Sequence, residues 1–184
     1  MKYGRYSIFL IAVAAFCAAV FILIYGEAKK QTIDDLNNRQ FAHARQAVKG
    51  IQDHFRHMTD TLRILSLQDH IINLDKDGKK MMSDVLRIHS PEIKSVTRMN
   101  DRGWIVHAEP YNKQLIGQGI SGQEHIREVM KTHALVISDV FRAVQGYRSV
   151  AVHMPVFRNG VFDGTIAFLI SFDVLAKKYL EDIR

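Results

Sequence analysis

The chain has 184 residues, 47% of them apolar, and a formal net charge of +6, which is room for one ordinary domain with a short addition and not for two. Residues 7–25 hold 19 consecutive uncharged positions, about 28 Å of helix against a hydrocarbon core of about 30 Å, so a purely cytosolic enzyme is not expected. Past Lys2 and Arg5, 23 basic side chains stand against 19 acidic ones with no basic stripe interleaved with aromatics, and no nucleic-acid partner is expected.

In chain order, residues 1–6 read as a short tail and residues 7–25 as a transmembrane helix. The apolar stretch is longer than a signal-peptide core, and no polar segment precedes Gly26-Glu27-Ala28, so a retained anchor is expected. Cys17, the sole cysteine, lies inside the span, which excludes a disulfide framework. Lys2 and Arg5 on one side oppose Lys29 and Lys30 on the other, and charge alone leaves the orientation open. A long helix is expected over 26–72, with an apolar seam at Phe41, Ala44, Val48, Ile51, Phe55, Met58, Leu62 and Leu65, three and four apart. The seam is short and contains Gly50, which favours packing on the chain's own sheet over a coiled coil. His54 and His57 are read as solvent-directed beside Phe55 and Met58.

Leu74-Asp75-Lys76-Asp77-Gly78 reads as a turn; it lacks the third ligand position and the distal glutamate of a calcium loop. Residues 80–89 fit a short helix ended by Ser90-Pro91. From Ile93 the period becomes alternating. Five β-rich runs follow at 93–99, 104–108, 135–142, 148–157 and 164–172. A hairpin turn falls at Asn100-Asp101-Arg102-Gly103 and another begins at Arg158-Asn159-Gly160. Residues 123–132 form a helical insert between the second and third runs, and the tail turns helical after Asp173. The expected fold is α+β: an antiparallel five-stranded sheet with a long N-terminal helix, preceded by one transmembrane helix.

Six segments, in order, carry a family likeness: Asn100-Asp101-Arg102-Gly103, Ile116-Gly117-Gln118-Gly119-Ile120-Ser121, Ile137-Ser138-Asp139-Val140, His153-Met154-Pro155-Val156, Gly164-Thr165-Ile166-Ala167 and Phe172-Asp173-Val174-Leu175. Together they resemble the Cache sensor domain, the PAS-like extracytoplasmic module of bacterial receptors. The domain would occupy 73–184, with the likeness strongest over 93–183. The resemblance implies a cytoplasmic tail, a single pass through the inner membrane and a periplasmic or extracellular domain. It also implies a homodimer through the long helix and a small-molecule ligand held under the insert. A histidine kinase is the usual owner of such a domain, followed by a diguanylate cyclase or a chemoreceptor. Type IV pilins share the outline, but Phe9 stands where their processing motif has glutamate. The chain ends at Arg184, where a second span begins in the family, so the expectation is a segment of a longer receptor or a short anchored protein that reports to a partner.

Strand alternation sets Val150, Val152, Met154 and Val156 on one face and Tyr147, Ser149, Ala151 and His153 on the other. By resemblance, Ala151 and Ile105 take the positions of the two anion-binding arginines of dicarboxylate-sensing members. His153 and His107 are then assigned to the ligand side. Gln123, His125 and Ile126 replace an arginine and an aromatic pair, which sets His125 at a tyrosine position over the pocket. Tyr147, and more weakly Tyr111, can offer a hydroxyl to a carboxylate or sugar oxygen. Arg148 lies one residue off the ligand face. Three histidines are thus expected to converge on a small ligand, with a carboxylate among the candidates. Neutral imidazoles also suit metals, but no metal-ligand spacing is present, and neither a metal centre nor a cofactor is expected. No G-x-S-x-G, H-E-x-x-H, P-loop or Cys/His nucleophile motif occurs, so catalysis is not expected within this chain.

Overall fold

The computed structural model describes residues 3–143 and 146–180, apart from the side chains of residues 3–15, 17–19 and 23. Helix α1 runs unbroken from Tyr3 to Ser66. The expected span 7–25 lies along it, but most of its side chains, Cys17 included, fall outside the described residues, as do the first two positions of the 1–6 tail and the last four of the 73–184 domain. Among the described residues, no helix is long and apolar enough to cross a membrane. Two compact units divide the chain between Gln46 and Ala47. The first contains α1 through Gln46, where Ile33, Leu36 and Phe41 are exposed.

The second unit is mixed α+β. After the end of α1 come α2 (Asp69–Asn73), α3 (Lys76–Ile88), β1 (Ile93–Met99), β2 (Ile105–Glu109), α4 (Glu124–Thr132), β3 (Val136–Ile137), β4 (Phe141–Arg142), β5 (Arg148–Arg158), β6 (Val161–Ser171) and α5 (Phe172–Leu180). The sheet is antiparallel in the order β2-β1-β6-β5-β3, and β4 also pairs with β5. Four of the β-rich runs become β1, β2, β5 and β6. The third is split into β3 and β4 because Ser138 interrupts it. Its backbone N–H donates to Ala151 O at 2.9 Å, while its hydroxyl, rather than a backbone carbonyl, accepts from Ala151 N–H at 2.8 Å.

The segment expected as a turn at 74–78 is instead the start of a helix. The Asp75 carboxylate accepts from the N–H groups of Asp77 at 3.0 Å and Gly78 at 2.9 Å, capping α3. Aspartate is favoured in turns and at helix N-caps for the same reason, a short acceptor that reaches nearby N–H groups.

The sheet divides two cores. Val152, Met154, Val156, Ile166 and Phe168 share one with Met58, Leu62 and Leu65 of α1 and Met82 of α3. Each of the larger buried side chains contributes about 1.5–3 kcal/mol. The α1 seam therefore packs against its own domain's core from Phe55 onward. Closer to Ala47 the buried face turns, so that Ala47 and His54 are covered while Val48 is 55% exposed. Gly50 allows the turn, since a Cβ there would stand 2.8 Å from Cε1 of Tyr179 on α5. This corrects the expectation for His54. The ring is buried, with Nδ1 3.3 Å from Glu92 Oε2, and Glu92 also pairs with Lys178. Burial lowers the His54 pKa, opposed by Glu92; His57 remains exposed. The second core, on the other side of the sheet, joins Met99, Ile105 and Ala108 to Leu115 and Ile126.

Candidate functional site

Helix α4 roofs the second face of the sheet. Its apolar side buries Ile126 and Val129, and Gln123 at its N-cap makes no side-chain capping bond. The loop ahead of it is fastened to β2: Ile105 N–H donates to Gln118 O at 3.0 Å and Gly117 N–H to Ile105 O at 2.8 Å. These bonds hold Leu115 and Ile120 over the strands. Between roof and sheet lies a cavity of about 40 Å³, floored by Thr97, Ala151, His153 and Leu169 and closed by Ile120, Gln123, His125, Phe141 and their neighbours.

Two of the three expected histidines meet here. The rings of His125 and His153 are 5.2 Å apart between centroids, and His125 also lies 4.8 Å from Phe141. His153 is almost wholly buried, its Nδ1 is 3.5 Å from Thr165 Oγ1, and its Nε2 has no hydrogen-bond partner. Burial, reinforced by the neighbouring His125, pushes its pKa down to about 3. Burial also lowers the His125 pKa, opposed by Glu124. Both imidazoles are therefore neutral near pH 7.

His107 does not join them. Across the β1–β2 ladder Met99 faces Ile105 but Arg98 faces His107, which leaves Val106 as an extra residue on β2. Directly paired residues share a face, so the bulge sends Ile105 to the cavity side and His107 to the opposite one. There Nε2 lies 2.9 Å from Glu109 Oε1, and the ring is 6.1 Å from that of Tyr111. The sequence shows strict i, i+2 spacing, and nothing in it marks the bulge.

The two tyrosines lie elsewhere. Tyr111 and Tyr147 line a neighbouring groove of about 320 Å³ with Lys94, Ser95 and Asn112, divided from the cavity by Leu115, which borders both; burial raises the Tyr147 pKa. Arg148 is exposed, ion-paired with Asp173 and 5.0 Å over the Phe172 ring. Outside this cavity, Gln123, His125 and Phe141 also wall an open cleft of about 560 Å³, where Glu124, Glu128, Asp139 and Arg142 supply the charge. Sequence reasoning missed Thr97 and Phe141. Thr97 was accessible through the Ser95, Thr97, Met99 alternation, whereas Phe141 depends on the break at Ser138. Among the described residues, no group of three or more His, Cys, Asp or Glu side chains could hold a metal.

A family model described as "HK/GC/Chemotaxis protein-like, sensor domain" matches residues 70–171, and no curated protein matches the chain. Solved structures share the fold. The sensor domain of the V. cholerae histidine kinase DctB matches with a TM-score of 0.66 at 10% identity, over 80% of this chain and 60% of that one. An extracellular ligand binding receptor from Desulfohalobium retbaense gives 0.64 at 22% identity, over 72% and 25%. The ligand-binding domain of the Pseudomonas aeruginosa amino acid chemoreceptor PctC, in complex with GABA, gives 0.56 at 16% identity, over 72% and 60%. The chain thus spans a quarter to three fifths of the chains it matches here.

Proposed function

The chain belongs to the HK/GC/chemotaxis protein-like sensor-domain family, and from that premise we propose that it is a membrane-anchored extracytoplasmic module that binds a small ligand under α4 and passes the signal across the bilayer. The observation that carries this reading is the partly open cavity between α4 and the sheet, with two neutral imidazoles in its wall and a wider cleft beyond them. The domain itself is a sensor and not a catalyst; the output is assigned to a histidine kinase outside this chain, with a diguanylate cyclase or chemoreceptor as the alternative.

Alternation gives the coupling. His153 faces the cavity, while Val152 and Met154 beside it share a core with Met58 and Leu62 of α1. A ligand that draws α4 toward the sheet changes the packing on β5, and α1 feels the change. It biases the equilibrium only by its differential affinity for the two arrangements; taking a 1:99 population to 99:1 requires about 5.5 kcal/mol. Helix α1 continues unbroken from this core toward Tyr3, and the exposed Ile33, Leu36 and Phe41 support pairing with a second copy along it.

Thermal melting of the full chain in detergent, against carboxylates, amino acids, neutral amides and divalent metals between about pH 5 and 8, tests the reading. A ligand at a hundredfold excess over its Kd stabilises by about 2.7 kcal/mol, a shift of several degrees. The expected result is such a shift that disappears in the His125→Ala, His153→Ala double variant. Absence of a shift with every compound, or a shift the double variant leaves intact, overturns the assignment of this cavity.

A further inference from the structure

We propose that the cavity between α4 and the sheet receives an uncharged polar group of its ligand, a hydroxyl, carbonyl or amide, and rejects carboxylate and ammonium ends. The inference rests on the reading of this cavity as the ligand site and specifies what enters it.

Three observations converge. First, at about 40 Å³ the cavity holds a functional group rather than a whole metabolite. Second, its wall contains no acidic side chain, lysine or arginine among the described residues. An ionised group placed there would lose its hydration with no opposite charge to replace it, whereas a neutral polar group needs only hydrogen bonds. Third, those bonds are on offer. His153 Nε2 is buried without a partner, and the Gln123 side chain is not used in capping. A neutral imidazole nitrogen is a donor or an acceptor according to tautomer, and hydroxyl and amide groups complement either form. Burial of both imidazoles keeps them from supplying the cation that a carboxylate would require.

The mouth adds to the discrimination. Three carboxylates, Glu124, Glu128 and Asp139, stand against one guanidinium, Arg142, in the outer cleft. An anion must cross this field before meeting a cavity that cannot hold it. Gln123, His125 and Phe141 belong to both walls. A ligand can therefore insert its neutral end between them while the remainder stays in the cleft.

The test uses three probes of one shape and different charge, acetamide, acetate and acetamidinium, added at neutral pH to the full chain with ¹⁵N-labelled histidine. The readout is the ring-nitrogen NMR signals of His125 and His153. Acetamide is expected to move both, with an apparent affinity about tenfold or more above that of either ion. The effect on His125 is expected to persist in His153→Gln, which keeps a polar amide, and to vanish in His153→Leu. If acetate or acetamidinium moves the two signals as strongly as acetamide, the charge rule is overturned while the cavity remains the ligand site. If none of the probes moves them, the proposal falls together with the cavity assignment.

Discussion

Protonation of His153 would put a cation on a strand covered from both sides, with His125 of α4 at 5.2 Å and Thr165 of β6 as its polar neighbours. Its pKa is 6.5 unperturbed and about 3 in the fold. Between these values the unfolded chain binds a proton that the native one does not. Stability is therefore complete above about pH 6.5 and declines as pH falls toward about 3. Going from about pH 7.5 to about 5.5 is expected to remove about 1 kcal/mol through this residue alone. His54, His89 and His125 are shifted in the same direction, each mainly by burial. His70 is shifted upward by its hydrogen bond to Asp75, but it stands in solvent and contributes little. Urea midpoints measured across this range check the slope. A wild-type midpoint that stays level, or a slope unchanged in His153→Leu, contradicts the account. The side of the sheet on which His153 lies was legible from Val150, Val152, Met154 and Val156. The burial of His54 was not, because its partners Glu92 and Lys178 are far away in sequence and the small residues Ala47 and Gly50 add little to an apolar pattern.

At the scale of elements, legibility followed regularity. The alternation over residues 93–99 predicts a strand, and β1 has the same bounds. Two departures had one kind of cause, a polar or extra residue altering the backbone pattern without altering the composition. Ser138 breaks the third run, and Val106 turns β2 over between Ile105 and His107. The effect is largest at the site, because counting residues along β2 puts His107 beside Ile105, whereas the bulge puts it on the other face. Asp75 is the third case, where turn and helix start use the same chemistry. Its role is open to measurement: Asp75→Ala is expected to lower the urea midpoint, and Asp75→Asn to retain most of the wild-type value. Equal losses in the two variants, read from urea midpoints, would assign the effect to the exposed contact with His70 rather than to the cap.

For the molecule as a whole, the sheet is a partition with a different duty on each side. One face carries a long-chain apolar core against α1 and α3. The other carries the small cavity, roofed by a helix and a loop. Neighbouring residues of β5 serve both, so the cavity wall and the helix packing are separated by a single peptide unit. The contact of Gly50 with Tyr179, together with the Glu92 bridge between His54 and Lys178, has a further consequence. The strand of polypeptide entering the α+β unit and the one leaving it lie side by side, as the two leads of a plug do. Such a unit can be spliced into a surface loop of an unrelated host without prising that loop apart. Residues 47–180 so inserted through short Gly/Ser joints are expected to leave the host's melting temperature within a few degrees of its own value, and a host that unfolds would show the leads to be splayed.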